Sequence, residues 1–179
     1  LILALMDKLN SLEISGSITL VPLCNPYATN TKSGTYTYGR FNPVTGHNWN
    51  RNFVDIIAKN RNEFEQFVKK HHKESEIISI FKDFLGTLYS RMEDELIREE
   101  RFHDNIKMNL LMQKIAHRAD GVLDLHTGPH AARYVYSAKF QEESVDTLLM
   151  PHALIIPDEF ATAMDEASFM PWVYLKDEL

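Results

Sequence analysis

The chain has 179 residues, enough for one domain with a sizeable core, and its 44% hydrophobic and 25% charged residues place it among ordinary globular proteins. A formal net charge of −6, without a basic stripe interleaved with aromatics, excludes a nucleic-acid footprint, and the single cysteine, Cys24, excludes an internal disulfide. No apolar run reaches the roughly 18–20 residues that span a bilayer, so with its lone thiol the chain reads as cytoplasmic, with no membrane partner.

Taken in chain order, Leu1-Ile2-Leu3-Ala4-Leu5-Met6 is too short for a span and lacks the basic flank of a signal peptide. Residues 1–9 read as the end of a helix that begins upstream. Ile18 to Cys24, bounded by Gly16 and by Asn25-Pro26, reads as a strand, although Pro22 weakens it because proline cannot donate to a ladder. Residues 27–50 are rich in Gly, Asn, Thr and Tyr without periodicity, the pattern of a long loop that carries function.

Helical spacing then runs from about 53 to 119: Phe53, Ile56, Ile57, Phe64, Phe67 and Val68; Ile77, Phe81, Phe84, Leu88 and Met92; Phe102, Ile106, Leu110, Leu111 and Ile115. This predicts two or three helices, with Gly121 placed as the C-terminal stop. Val122 to Leu125 reads as a strand ending at His126. Tyr134 to Ala138 and Ala153 to Ile156 read as two more. Strands separated by helical stretches predict an α/β layered fold. No repeat or linker divides residues 1–179, which read as part of a single domain. The final Lys176-Asp177-Glu178-Leu179 spells an ER-retention signal; without a signal peptide it reads as a coincidence of helix sequence.

Three clusters could carry chemistry. In Asp124-Leu125-His126-Thr127-Gly128, strand alternation puts Val122, Asp124 and His126 on one face, and His126 falls where the strand ends. Sites in open α/β sheets collect outside strand carboxyl ends, and a neutral imidazole there can ligate a metal; the plain alternative is a hydrogen-bonded histidine. In Gly46-His47-Asn48-Trp49-Asn50-Arg51-Asn52-Phe53, at a loop-to-helix junction, Arg51 offers a planar fork for a carboxylate, Asn50 an amide donor, and the helix start its N–H groups. The alternative is an exposed arginine with Asn52 as helix cap. The third cluster is Asn25-Pro26-Tyr27-Ala28 with Gly39-Arg40-Phe41, where Pro26 favours a sharp turn and Arg40 joins Arg51 as a second cation of the same loop.

In this order the three clusters resemble the zinc carboxypeptidase superfamily, and within it more closely the succinylglutamate desuccinylase/aspartoacylase family. The resemblance implies an α/β fold, a mixed sheet flanked by helices, here incomplete at both ends. It implies one Zn2+ per complete protein and hydrolysis of an amide bond in a small anionic N-acyl amino acid. His126 matches the third zinc ligand; Asn50 and Arg51 match the pair that binds the substrate carboxylate; Arg40 matches the arginine that polarises the scissile carbonyl, at a longer spacing from Asn50 than in aspartoacylases. Where related carboxypeptidases have an aspartate that buttresses a zinc-ligating histidine, this chain has Asn48, which implies weaker zinc binding. The family's His-x-x-Glu ligand motif is absent and is expected upstream; its general-base glutamate is expected beyond Leu179. Glu159, Glu166 and Glu178 lie on no convincing strand and are not assigned. His130 reads as a rim residue, His71-His72 as a solvated face, and His103 and His117 as helix residues without a partner motif. The acidic-basic run Arg91 to Arg101 reads as a solvated helix, with a lid or an oligomer surface as alternatives. A peptide-cleaving zinc carboxypeptidase is the nearest rival, followed by a non-catalytic domain binding an anion through Arg40 and Arg51, then by an interaction protein built on the 53–119 helices.

Overall fold

A computed structural model of the chain describes residues 2–29, 31–33, 37–100, 103–126 and 132–179. They form two compact units, residues 1–48 and 49–179.

The first unit opens with helix α1, Ile2–Leu9, whose last turn carries Lys8 where a cation suits the helix dipole. Strands β1, Lys32–Ser33, and β2, Thr37–Tyr38, pair antiparallel with Lys32 opposite Tyr38. An isolated antiparallel bridge joins Phe41 to Asn48. The expected long loop is therefore partly paired. The expected strand Ile18 to Cys24 is not formed, and Ile18 and Leu23 are exposed. Apolar, β-branched composition supplies the propensity, but a strand needs a neighbouring strand to close its hydrogen bonds, and among the described residues none pairs with this segment.

The second unit is mostly helical. Helix α2, Ile56–Lys59, starts at Asp55, whose carboxylate accepts the Ala58 N–H at 2.9 Å. Helices α3, Arg61–His71, α4, Ile77–Arg98, and α5, Asp104–Ala116, follow. Among the described residues the 53–119 stretch thus holds four helices rather than two or three. Its apolar periodicity is the core: Ile56, Ile57, Phe64, Phe81 and Leu85 are fully buried, and Phe67 stacks on Phe84 at 4.6 Å between ring centroids. The α5 helix ends at Ala116, short of Gly121, and Gly121 does not take up the left-handed conformation of a helix stop.

Strand β3, Val135–Ala138, pairs parallel with β4, Ala153–Ile156, in the register Val135 to Ala153 and Ala138 to Ile156. Parallel neighbours need a crossover, and here it contains a 3₁₀ turn, Lys139–Gln141, and helix α6, Glu142–Asp146. Both strands lie where the apolar runs predict them. Residues 121–126 carry no ladder bonds, so the expected strand Val122 to Leu125 is not formed among the described residues, for the same want of a partner.

Of helix α7, Met164–Glu178, only the C-terminal tetrapeptide was read as helical from the sequence. It packs on two sides. Leu175, Trp172 and Tyr174 join the α2–α5 core, while Phe169, Met170 and Val173 close a second cluster with Ala138 and Ile156 of the sheet. A helix buried on two faces shows no single apolar stripe, and Pro171 inside it removes one ladder donor. Lys176, Asp177 and Glu178 of the C-terminal tetrapeptide belong to this helix, and Glu178 pairs with Arg61 at 2.8 Å. The chain is a mixed α/β fold with a small parallel sheet and flanking helices, as the strand and helix pattern predicts.

Candidate functional site

The segment Asn50–Val54 has no regular secondary structure, so its backbone groups must find partners elsewhere. They find them in buried amides. The Asn109 Nδ2 donates to the Arg51 carbonyl at 2.9 Å. The Gln113 Oε1 accepts the Val54 N–H at 3.1 Å and its Nε2 donates to the Val54 carbonyl at 2.7 Å. The Phe53 N–H donates to the Thr162 carbonyl at 3.2 Å. Between these points Asn52 sits at φ +66, a left-handed conformation that asparagine tolerates better than most residues. The backbone is held from inside while Arg51 itself is exposed, with Nη1 donating to the Asn50 carbonyl at 2.5 Å.

Asn50 points its Oδ1 at the Met164 N–H, 3.1 Å away, and so satisfies a donor of the first turn of α7. The helix start expected directly after Arg51 lies further on, at Ile56, and Asp55 rather than Asn52 caps it.

Asp124 and His126 meet side by side, the His126 Nε2 donating to Asp124 Oδ2 at 2.8 Å. The alternation argument placed them on one face, and they share it although no ladder forms. The bonded Asp124 carboxylate raises the imidazole pKa above its ordinary value against an opposing effect of burial, and the charge of Asp165 adds to the rise. Asp165 follows Met164 in the first turn of α7. That turn is therefore the common element: Asn50 bonds its backbone, and His126 feels its carboxylate.

Arg40 and Asn48 belong to the first unit. Gly39 fixes where Arg40 leaves the chain. It sits at φ +62, and a Cβ there would lie 2.6 Å from the Ala28 carbonyl oxygen. Ala28 is itself held by Asn25, whose Oδ1 accepts its N–H at 3.0 Å, so the Asn25–Ala28 and Gly39–Phe41 pieces grouped in the sequence do meet. The Arg40 guanidinium lies 5.8 Å over the Phe41 ring. Asn48 is half-buried and bridges to Phe41.

Thr127, Gly128 and His130 lie outside the described residues. Glu166 accepts the Ala161 and Ala163 N–H groups at 2.6 and 2.9 Å and serves the α7 start. Glu159 is exposed in a loop, and Arg61 takes Glu178. His71 is not a solvated face: only 16% of its side chain is exposed, and it lies against Phe67 with Nδ1 2.7 Å from Glu74. His117 is half-buried beside Tyr89. Arg91 forks onto Glu63 at 2.8 and 2.9 Å. Asn109 and Gln113 were missed as site residues. The signal was present, since both occupy the buried stripe of α5 alongside Ile106 and Leu110, where apolar residues belong.

Among the described residues no group of three or more His, Cys, Asp or Glu is placed to hold a metal ion. His126 by itself has the arrangement of one such ligand, with one ring nitrogen given to a carboxylate and Nδ1 on the other side of the ring. Among the described residues no helix is long and apolar enough to cross a membrane.

The family model of the succinylglutamate desuccinylase/aspartoacylase catalytic domain matches residues 1–171. Two crystal structures of succinylglutamate desuccinylase/aspartoacylase family proteins have the same fold. One, from Shewanella frigidimarina NCIMB 400, is 35% identical with a TM-score of 0.82, covering 98% of this chain and 46% of that one. The other, from Shewanella amazonensis SB2B, is 36% identical with a TM-score of 0.83, covering 99% and 47%. The chain thus spans about half the length of the structures that it matches. No curated protein matches it.

Proposed function

Since the chain belongs to the succinylglutamate desuccinylase/aspartoacylase family, we propose that the full protein is a zinc-dependent hydrolase cleaving the amide bond of a small anionic N-acyl amino acid, in a cytoplasmic setting. The observation that carries this reading is the His126–Asp124 pair, whose imidazole also feels the charge of Asp165 in the first turn of α7, the turn that Asn50 meets. Zinc would take His126 from this chain, with two further ligands that the chain does not supply. When bound, it contributes an acidified water and a Lewis acid for the carbonyl.

The chain's own residues do the rest. Asp124 holds the His126 ring by its Nε2–H, which fixes the tautomer and leaves Nδ1 for the ion. Arg51 grips the substrate's free carboxylate with its fork, Asn50 adds an amide N–H, and together they set the amide carbonyl in line for attack. Arg40 donates to the oxygen of that carbonyl as negative charge develops on it. Water's oxygen bonds to the carbonyl carbon and the C–N bond breaks; a glutamate that this chain does not supply takes the water's proton and passes it to the leaving nitrogen, giving a carboxylic acid and the free amino group. Asn48 stands where related carboxypeptidases have an aspartate, and its uncharged amide supports a zinc-bound histidine less strongly.

The test is zinc content of the full-length protein alongside His126→Ala, with hydrolysis of N-acetyl and N-succinyl amino acids assayed against C-terminal peptides. About one zinc per chain, lost in the variant, with turnover of the N-acyl amino acids, is the expected result. Zinc unaffected by the substitution, or turnover of peptides alone, overturns it.

A further inference from the structure

We propose that Asn109 and Gln113 of α5 are positioning residues for the substrate-carboxylate anchor, acting through the backbone of residues 51–54. The proposal rests on the reading of Arg51 as that anchor.

An arginine on an irregular exposed segment would ordinarily swing with its backbone, and each rotamer-rich side chain loses affinity when it must be ordered on binding. Here the segment is not free to swing. Its four backbone bonds, to Asn109, Thr162 and twice to Gln113, bracket Arg51, Asn52 and Phe53. The two amides come from successive turns of one helix, four residues apart, and both point inward: Asn109 is 6% exposed and Gln113 2%. Gln113 is itself fixed, since its Nε2 also donates to the Tyr89 hydroxyl oxygen at 3.3 Å, and Tyr89 is 1% exposed. Phe53, 7% exposed, adds an apolar pin between the bonds.

This arrangement also explains two polar side chains in the middle of a core. A core needs only volume there, and leucine or methionine would supply it without the desolvation of an amide. An amide is needed only where an extended backbone lies against the helix with its own N–H and C=O to satisfy. The α5 helix is therefore built around the segment that carries Arg51. The residues that hold a ligating group need not touch the ligand, and small displacements of such a group are costly.

The experiment uses the full-length protein, with Asn109→Ala, Arg51→Ala and the double variant. Each is assayed for kcat and KM on a hydrolysed N-acyl amino acid, with thermal unfolding measured in parallel. The expected result for Asn109→Ala is a folded protein with KM raised on the order of tenfold and kcat within about twofold. In the Arg51→Ala background the same substitution should change kcat/KM by less than about twofold, because its effect passes through Arg51. Effects on kcat/KM that simply multiply, or a KM that does not move, overturn the clamp. Should Asn109→Ala fail to fold, amide exchange decides: the Val54 N–H of the parent should be protected like a helix amide, and exchange as fast as an exposed loop overturns the proposal. A parent that hydrolyses no N-acyl amino acid removes the reading beneath it, an outcome seen before any variant is compared.

Discussion

Gln113 holds Val54 by both of its backbone groups, accepting the N–H at 3.1 Å and donating to the carbonyl at 2.7 Å. One side chain, 2% exposed, thus replaces the two ladder bonds that a neighbouring strand would give this half-buried residue.

Removing that side chain should be costly. Gln113→Leu keeps the volume but orphans two backbone groups, each worth roughly 1–3 kcal/mol when left unsatisfied in the interior. A loss of about 2–5 kcal/mol is expected in denaturant unfolding of the full-length protein. A change within about 0.5 kcal/mol, the range of a bystander surface position, would show that water takes over both bonds.

Asp124→Asn should leave the fold intact and loosen the metal. The amide oxygen can still accept from His126 Nε2, but without charge, and losses of such partners typically weaken metal affinity about 10–100-fold. A chelator competition on the zinc-loaded protein measures it; equal affinities would separate Asp124 from the ion.

Arg51→Lys keeps the charge and removes the fork. Hydrogen bonds to charged groups contribute about 1.5–3 kcal/mol, so loss of one arm predicts a fall in kcat/KM on the order of 10–100-fold, seen in steady-state kinetics. Activity close to the parent's would mean that the carboxylate is bound elsewhere.

The pH dependence of stability has a contribution from His117. Burial lowers its pKa below the ordinary 6.5, and the positive charge of Arg118 works in the same direction, while its bond to the Gln113 carbonyl opposes them. With the folded pKa depressed, the unfolded chain binds the extra proton first. The His117 contribution is present above the unfolded pKa and is lost as pH falls through the folded one. Unfolding free energies measured from pH 7.5 to 5 should therefore drop less steeply in His117→Gln than in the parent. An unchanged slope would mean that the ring charges without penalty where it stands.

The candidate site was proposed from one dimension. Asp124-Leu125-His126 and Asn50-Arg51 announced themselves because their chemistry depends on residue type and short spacing. The alternation that put Asp124 beside His126 held even without a ladder. The apolar stripe of residues 53–98 became the core, because helical periodicity is a local property that burial only has to ratify. The paired strands β3 and β4 were legible for a similar reason, as short runs of strand-forming residues, β4 an aliphatic run bounded by Pro151 and Pro157.

Where the reading failed, the deciding partner lay far away in the chain. Ile18 to Cys24 and Val122 to Leu125 have strand composition, but a strand exists only against another backbone, which composition cannot supply. Helix α7 hid except at its C-terminal tetrapeptide because it is buried on two faces at once, so that its apolar residues answer to two clusters rather than one stripe. Asn109 and Gln113 hid because an amide in a helix stripe looks like a flaw until the segment it satisfies, more than fifty residues earlier, lies beside it. By itself, then, the sequence determined the family and the local periodicities, and it supplied the candidate side chains on which the proposed function rests, all set by neighbours within a few positions. Only the tertiary structure decided how the Arg51 segment is held and that Asn50 meets the first turn of α7, because those contacts span long stretches of chain and are settled by which buried polar groups must find a partner.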